Sequence, residues 1–444
     1  MAHGTAREQY DRLVERLNRH PQGAPPSPTL HRLLAMLFAP REAELVARLP
    51  LRTFTVDEAA RRWRMPVPEA AAVLETLAGR ALLLDLPRDG ITYYLLPPPM
   101  AGFLEFALMR HRDDLDEAAL AELYHQYINK EEEFARQLFA VGQTPVGRVL
   151  VNEGVLPVGD RVEILDDERA TAVIRAAPVI GAGLCYCRHK MEHLGTRCGA
   201  PMDNCLTLGP CAASLIRHGF ARRIEAAEAL DRLAEARDRG LVQCGENVRN
   251  GVSFICNCCG CCCEALLAVK RFGVGQKALL PTRFAAVIDP AVCTGCGRCA
   301  RACPVDAIEV NAVVSGKPGG RRRARVLADA CLGCGVCVGA CAAKALRLTE
   351  RGRRPRVPVD TTRRVVAMAL ERGRLQDLLF DDRALLSHRI MAALLGAILR
   401  LPPVRRALAA RILDSRCVEA LIRRARLSQT EPPAAPRCGH GRAG

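Results

Sequence analysis

The chain has 444 residues, of which 49% are hydrophobic and 25% are charged; this balance excludes wholesale disorder and the length suits roughly two to four domains. The formal net charge of +16 favours an acidic partner, nucleic acid or an anionic membrane, although only six basic residues are Lys, which indicates compositional bias. No apolar run reaches the roughly 18 residues of a spanning helix, and residues 1–18 contain no secretory signal, so we expect a cytoplasmic protein.

Residues 28–110 carry the signals of three helices followed by a β-hairpin. An apolar helical face comes first, and Thr55 with Glu58 forms a capping box that begins a second helix. A third helix begins after Pro66, and two short apolar runs flank the turn-forming residues 87–90. This order of elements resembles a winged helix-turn-helix domain.

Winged-helix domains often place a helix in the major groove of DNA. In this chain that helix would begin at Val67 and carry Glu69 and Glu75, whose carboxylates would face the DNA phosphates. We therefore expect the domain to dock a protein or to dimerise, and we do not expect nucleic acid as a partner.

Residues 111–150 are predicted to connect this domain to the next one through an amphipathic helix over residues 113–140. Leu120 and Tyr124 are among the apolar residues that recur at helical spacing within it. Residues 144–179 are instead β-prone and punctuated by Pro and Gly.

The 22 Cys residues are strongly clustered, and only Cys417 and Cys438 lie outside residues 185–341. Structural disulfides are disfavoured in a reducing cytosol, and core packing does not explain so many neighbouring thiols. The clustering therefore indicates metal binding or redox chemistry. The clustered Cys residues are divided between a Cys-rich domain over residues 151–275 and a second segment over residues 276–350.

Eight Cys in the second segment form two copies of one spacing, CxxCxxCxxxC. The two copies start 38 residues apart and comprise Cys293, Cys296, Cys299 and Cys303, then Cys331, Cys334, Cys337 and Cys341. Three thiolates of a CxxCxxC loop can hold one cubane, while the fourth points to another cluster. Four glycines allow the sharp turns and bring backbone amides toward the sulfurs: Gly295, Gly297, Gly333 and Gly335.

This double motif resembles the bacterial-type ferredoxins that hold two [4Fe-4S] clusters, over residues 284–350. The resemblance implies two interleaved ligand sets, which are Cys293, Cys296, Cys299 and Cys341 for one cluster and Cys331, Cys334, Cys337 and Cys303 for the other. A pair of zinc sites would usually show two CxxC pairs instead. Ala342 stands where Pro often follows the second motif, a difference that removes no ligand.

Ten further Cys lie in two groups within residues 185–263. They are Cys185, Cys187, Cys198 and Cys205, followed by Cys256, Cys258, Cys259, Cys261, Cys262 and Cys263. The layout resembles an uncharacterised group of bacterial Fe-S proteins in which a CxCRH segment and a CNCC segment precede a ferredoxin module, and it implies no particular reaction. A third Fe-S cluster is the leading interpretation, ahead of a redox-active thiol or substrate site and of zinc.

The first four of these Cys are a credible ligand set, because a CxC pair and two later Cys supply four thiolates from one short segment of the chain. The adjacent Cys258 and Cys259 cannot both readily face one ion, so some Cys of the second group are expected to be spare or reactive. Cys211 and Cys244 look isolated and are interpreted as buried small residues.

His189 and His193 are four residues apart and would share a helical face, as metal-binding pairs do. Charged residues surround them, so a solvated or anion-facing surface is the preferred interpretation. As a further possibility, Arg188, His189 and Lys190 could lower the pKa of neighbouring Cys thiols.

Residues 351–444 are predicted to be a basic helical region with a disordered tail. Residues 390–401 are apolar, and Arg405 and Arg406 follow them. A helix of this kind can lie peripherally on an anionic membrane, and an interior or subunit-facing helix explains the same pattern.

Together these observations predict a multidomain α+β protein that transfers single electrons through two [4Fe-4S] clusters and serves redox partner proteins. One alternative is an oxidoreductase with a substrate or an extra cluster in the Cys-rich domain. Another is a redox-sensing DNA-binding regulator. No flavin or nicotinamide fingerprint occurs in the sequence, and the electron donor, the acceptor and the oligomeric state are left open.

Overall fold

The computed structural model describes residues 2–139, 142–155, 168–272, 281–310, 322–352, 355, 357–382 and 384–401. Helices and short β-strands are mixed along these residues, in agreement with the predicted α+β class. The end of the predicted tail, with Arg405, Arg406, Cys417 and Cys438, lies outside the described residues.

The N-terminal part is helical and ends in a small antiparallel sheet. Its elements are α1 (Ala2–Arg19), α2 (Pro28–Leu37), α3 (Pro40–Ala47), β1 (Phe54–Thr55), α4 (Val56–Trp63), α5 (Val67–Gly79), β2 (Leu84–Arg88) and β3 (Ile91–Leu95). Thr55 begins α4 as predicted, because its hydroxyl accepts a hydrogen bond from the Glu58 amide at 3.4 Å. The other half of the capping box is not seen, since the Glu58 carboxylate accepts from Arg52 instead. The strands lie in the order β1-β3-β2, so the expected hairpin is present, whereas the sequence did not predict α3.

The prediction of one helix over residues 113–140 is wrong, because this segment is divided. After α6 (Leu104–Phe106), the elements are α7 (Glu117–Tyr124), a π-helical turn (His125–Lys130) and α8 (Glu133–Phe139). Glu132 has a φ of 62°, a left-handed conformation that interrupts a helix. The π-helical turn places Asn129 in the interior, where its side-chain amide donates to Glu264 at 2.7 Å.

A six-stranded antiparallel sheet organises the Cys-rich domain. Its strands are β4 (Gly147–Val149), β5 (Ile180–Gly183), β6 (Cys205–Leu208), β7 (Arg222–Arg223), β8 (Val242–Glu246) and β9 (Phe254–Cys258). They lie in the order β4-β8-β9-β6-β5-β7. The accompanying helices are α9 (Ala170–Ala176), α10 (Tyr186–His193), α11 (Gly209–Arg217), α12 (Ala226–Asp238) and α13 (Glu264–Phe272). The helix α9 falls within the β-prone residues 144–179, so that prediction is wrong there.

The ferredoxin-like segment has an internal repeat whose halves are paired strand to strand. Its elements are β10 (Phe284–Ile288), α14 (Arg298–Ala302), β11 (Ile308–Glu309), β12 (Arg325–Val326), α15 (Val336–Gly339) and β13 (Leu346–Glu350). The strand that begins one half pairs with the strand that ends the other, β10 with β13 and β12 with β11. This exchange brings the two Cys loops onto one small unit.

Three C-terminal helices return to the N-terminal part: α16 (Thr361–Glu371), α17 (Leu375–Leu379) and α18 (Leu386–Arg400). The Arg372 guanidinium donates to the carbonyl oxygen of Pro21 at 2.8 Å and to that of Gln137 at 2.9 Å. The predicted apolar segment forms most of α18, and one face of it is exposed, including Ile390 and Leu394. None of the described helices is both long enough and apolar enough to cross a membrane.

Asp85, on β2, joins the N-terminal part to the Cys-rich domain. Its carboxylate is fully buried. It accepts hydrogen bonds from Ser214 and Arg217 of α11, and it lies 3.2 Å from His218 Nε2. Apolar residues of both parts and of the ferredoxin-like segment also belong to one continuous hydrophobic cluster. The three segments therefore pack against one another.

Candidate metal centres

The Cys loops of the ferredoxin-like segment depend on glycine. Four loop glycines have φ values between 63° and 82°: Gly295, Gly297, Gly333 and Gly335. Other residues rarely adopt this conformation. A Cβ atom at Gly295 would lie 2.1 Å from the Arg322 carbonyl oxygen, and one at Gly333 would lie 2.1 Å from the Phe284 carbonyl oxygen. The prediction that these glycines shape the loops is confirmed.

The thiols of the two loops are grouped across the repeat. The pKa of Cys299 is raised by burial and by the neighbouring thiols of Cys293 and Cys341. The pKa of Cys334 is raised to about 12 by burial and by neighbouring thiols that include Cys303. Each three-Cys loop therefore lies near the last Cys of the other half's motif.

Backbone amides donate to sulfurs at equivalent positions of the two halves. The Ala307 amide donates to Cys303 Sγ at 3.2 Å, and the Ala345 amide donates to Cys341 Sγ at 3.3 Å. Amide donors of this kind stabilise thiolates and help to set the potential of a bound cluster. The residues present therefore fit the thiolate ligands of iron-sulfur chemistry.

The Cys-rich domain contains a cavity of about 90 Å³, which we call the cysteine chamber. Eight thiols line it: Cys185, Cys187, Cys205, Cys244, Cys256, Cys258, Cys259 and Cys263. They come from the beginning of α10, from β6, β8 and β9, and from the turn that precedes α13. Glu105, Arg188 and Glu264 also contribute to the lining.

Six of the chamber thiols form a closed ring of interacting neighbours. In ring order they are Cys185, Cys187, Cys263, Cys258, Cys256 and Cys205. Cys244 joins the ring through Cys258, and it lies opposite Cys256 in the β8–β9 register. Cys244 is buried as predicted but is not isolated, whereas Cys211 packs against the core, partly buried.

Helix α10 is buried where the sequence predicts a solvated surface. Arg188, His189 and Lys190 have no exposed surface. The Arg188 guanidinium donates to Asn204 Oδ1 at 2.6 Å and to the Asn257 carbonyl oxygen at 2.7 Å. The solvated-surface interpretation is therefore wrong for the first turns of this helix.

Of the three basic residues that the sequence offers for this role, Arg188 favours the ionised form of nearby thiols, whereas Lys190 pairs with Glu264. The pKa of Cys185 is lowered well below its ordinary value, first by hydrogen bonds from neighbouring thiols and further by Arg188. The pKa of Cys259 is lowered to about 4, first by a hydrogen bond from the Cys262 thiol, with Arg188 adding to the effect. Because the thiolate is the form that binds metal, these groups are prepared as ligands.

Four thiols beside the chamber form a compact cluster, which we call the tetrathiol group. Cys198 Sγ lies 3.6 Å from Cys259 Sγ and 3.8 Å from Cys262 Sγ, and Cys261 Sγ lies 3.7 Å from Cys262 Sγ. All four sulfurs lie within 4.8 Å of one another. A tetrahedral ion with metal–sulfur bonds of about 2.3 Å would hold its ligands about 3.8 Å apart, so the spacing fits one metal ion.

A cubane fits the tetrathiol group less well, because four irons and four sulfides would lie between the thiolates and hold them farther apart. The structure also divides the four Cys that the sequence offers as one ligand set. Cys198 lies in the tetrathiol group, whereas Cys185, Cys187 and Cys205 line the chamber. The adjacent Cys258 and Cys259 belong to the ring and to the tetrathiol group respectively, as expected for neighbours that cannot both face one ion.

The Cys-rich domain and the ferredoxin-like segment are in direct contact. A Cβ atom at Gly260 would lie 2.2 Å from the carbonyl oxygen of Pro304, the residue after Cys303. The pKa of Cys244 is lowered by its interaction with Cys258 but raised overall by burial and by thiols that include Cys334. One ferredoxin loop therefore lies near the cysteine chamber.

Residues 286–353 match the family model of the 4Fe-4S dicluster domain. No curated protein and no solved structure matches the chain. The matched range includes all eight Cys of the double motif, and it agrees with the resemblance seen in the sequence over residues 284–350. The chain therefore contains an iron-sulfur, ferredoxin-like segment.

Replacement of Gly260 by Ala tests the contact between the two Cys regions. The new Cβ would lie 2.2 Å from the Pro304 carbonyl oxygen, so the backbone must shift, and we expect the free energy of unfolding to fall by about 1–3 kcal/mol. Hydrogen exchange of the backbone amides in residues 259–263 and 303–307 should become faster.

Gly339→Ala is the matched control, because nothing lies within 4 Å of a Cβ at that position. Its free energy of unfolding should stay within about 0.5 kcal/mol of the wild type. The contact would be refuted if both variants exchanged their amides at the wild-type rate.

Proposed function

We propose that this protein is an iron-sulfur electron-transfer protein that relays single electrons through two [4Fe-4S] clusters, as a module or partner of an oxidoreductase system. The carrying observation is the strand exchange of β10 with β13 and of β12 with β11, which brings both Cys loops onto one unit, and the pKa shifts of Cys299 and Cys334 agree with it. The proposed quartets are Cys293, Cys296, Cys299 and Cys341, and Cys331, Cys334, Cys337 and Cys303. A bound cluster supplies one-electron chemistry, because added charge spreads over iron and sulfide with little change of geometry.

The Cys residues of the two quartets differ in their exposure to solvent. Cys299 and Cys337 are buried, whereas Cys296 is exposed. The pKa of Cys296 is lowered, first by a hydrogen bond from the Arg298 amide. Burial and amide donors tune the reduction potential of a cluster. The exposed side at Cys296 is where we propose that redox partner proteins dock.

Iron analysis and EPR spectroscopy test this function. Anaerobically purified or reconstituted protein should contain about eight irons in the two quartets and give [4Fe-4S] EPR signals on reduction. Cys299→Ser and Cys337→Ser should each weaken the signals of one cluster and retain those of the other. Cys211→Ser should retain both, because Cys211 belongs to neither quartet. Electron transfer by protein that holds two zinc ions and no iron would refute the proposal.

For the tetrathiol group we propose a single zinc ion, in place of the third Fe-S cluster that the sequence favours. Three sulfur separations of 3.6–3.8 Å, with all four sulfurs within 4.8 Å of one another, support a mononuclear site, and four thiolates around one ion are typical of structural zinc. This ion would connect the loop at Cys198 to the turn between β9 and α13.

Metal analysis of the double variant Cys198→Ser, Cys262→Ser tests the zinc assignment. The variant should lose one zinc ion per chain, together with the Zn–S distance of about 2.3 Å in X-ray absorption. Its iron content should equal that of the wild type, and Cys211→Ser should lose neither metal. Loss of iron and of a cluster signal in the double variant would instead favour a third Fe-S cluster.

A second candidate function, that of an oxidoreductase, is favoured by the cysteine chamber. The chamber concentrates thiols beside Glu105, whose pKa is raised to about 8 by burial, so this carboxyl group is largely protonated near neutral pH. The proximity of Cys334 to Cys244 would bring electrons to the chamber. A substrate or a further cluster held by the ring thiols would receive them.

Turnover by the reduced protein distinguishes this second function from simple electron carriage. If the chamber is catalytic, Cys258→Ser should abolish substrate turnover by the reduced protein, because it breaks the thiol ring, whereas the two quartets should still reduce one-electron dyes. The EPR signals of the two quartets should persist in that variant, and Cys211→Ser should keep the wild-type activity. Unchanged turnover in Cys258→Ser would argue against a catalytic chamber.

For residues 28–110 we propose a winged-helix-like domain that docks a protein or dimerises. The helices and the strand order β1-β3-β2 support this fold. Glu69 and Glu75 are exposed on α5, which opposes contact with DNA phosphates and makes a redox-sensing DNA-binding regulator the weakest candidate. The exposed apolar face of α18 supports peripheral membrane contact as a further prediction.

A further inference from the structure

Three imidazoles surround one carboxylate oxygen outside the sulfur sites. His111 Nδ1, His189 Nε2 and His193 Nε2 each lie 3.4 Å from Glu117 Oε2. The Nε2 atoms of His189 and His193 lie 3.2 Å apart. The residues come from the loop before α7, from α7 itself and from α10, so two segments that are about 70 residues apart in the sequence meet here.

These distances are longer than most hydrogen bonds and match the separation of neighbouring ligands on one metal ion. Hydrogen bonds from nitrogen to oxygen cluster near about 2.9 Å, whereas all three contacts to Glu117 Oε2 measure 3.4 Å. A tetrahedral zinc ion with bonds of about 2.0–2.1 Å holds its ligand atoms about 3.4 Å apart. The ligand atoms of His111, Glu117 and His189 all lie within 4.8 Å of one another, so these three groups can face one ion, with His193 beside Glu117 and His189.

Two ligands are oriented by backbone contacts that leave their inner atoms available. His189 Nδ1 donates to the Leu108 carbonyl oxygen at 2.9 Å; since the proton then lies on Nδ1, Nε2 keeps its lone pair. The Arg112 amide donates to Glu117 Oε1 at 2.8 Å, which leaves Oε2 facing the histidines. Backbone partners of this kind orient the ligands of metal sites.

We propose that His111, Glu117 and His189 bind a single zinc ion, with His193 beside it. Imidazole nitrogens and a carboxylate oxygen are ordinary zinc ligands, and three protein ligands leave a fourth position for water. The His189 side chain has no exposed surface, whereas 71% of the His111 side chain is exposed. The ion therefore enters from the side of His111, and His189 of the i, i+4 pair on α10 faces the ion instead of solvent.

The position of this site gives it a structural role. It fixes the later turns of α10 to α7, while the beginning of α10 supplies Cys185 and Cys187 to the cysteine chamber. The inference is independent of the proposed electron transfer, because none of its ligands is a Cys.

Zinc analysis of the full chain tests the site, with zinc added to anaerobic protein and excess removed. The double variant His111→Ala, His193→Ala should contain one zinc ion fewer per chain than the wild type. X-ray absorption should lose zinc–nitrogen and zinc–oxygen distances of about 2.0–2.1 Å and keep the zinc–sulfur distances. His31→Ala is the matched control, because His31 Nε2 contacts Asp11 at 2.7 Å in an ordinary pair, and it should retain the wild-type zinc content.

The single variant His111→Ala keeps the test decisive if the double variant does not fold, because this side chain is largely exposed. Mutation of residues that only support a metal ligand lowers metal affinity by about 10- to 100-fold. Loss of the ligand itself should lower the affinity of this variant for zinc by at least as much. Equal zinc content and equal zinc affinity in His111→Ala and wild type would overturn the proposal. So would a wild-type spectrum that contains only zinc–sulfur distances.

Discussion

The crowding of sulfur is the physical constraint on which the rest of this structure depends. Every Cys in the described residues is free, and buried thiolates repel one another and lose hydration. The pKa of Cys187, for example, is raised well above its ordinary value by burial and by the thiols of Cys185 and Cys263. A metal ion removes this conflict, because it stabilises several deprotonated thiols at once. The fold therefore acts as a scaffold that holds the sulfur ligands in separate groups.

A few short elements separate and connect these groups. The turn at residues 259–263 contributes to both the chamber and the tetrathiol group, and its Gly260 packs directly on Pro304 of the ferredoxin-like segment. Helix α10 supplies chamber thiols at its beginning, the buried Arg188 next, and two histidines at its end. Movement of either element would therefore affect more than one site.

The ferredoxin-like segment could be predicted from the sequence because its cluster ligands follow a local spacing, CxxCxxCxxxC, and because glycines such as Gly295 mark the loops. The other sites depend on tertiary contacts that local patterns do not encode. Cys244 joins the chamber only because β8 pairs with β9, which brings it to Cys258, and Glu117 reaches His189 and His193 only because α7 packs on α10. The sequence did not predict the burial of α10, because its charged side chains are typical of a solvent-exposed helix. Even the rule about adjacent Cys holds only in part, since Cys261 and Cys262 share one group.

The central claim is that the last Cys of each motif binds the cluster that the other motif's three-Cys loop holds. Anomalous diffraction at the iron edge, from crystals grown without oxygen, tests it most directly. The account predicts two separate iron sites, one between Cys299 and Cys341 and the other between Cys337 and Cys303. Iron density that joined Cys303 to the loop of Cys293, or a metal in these loops without iron character, would contradict it.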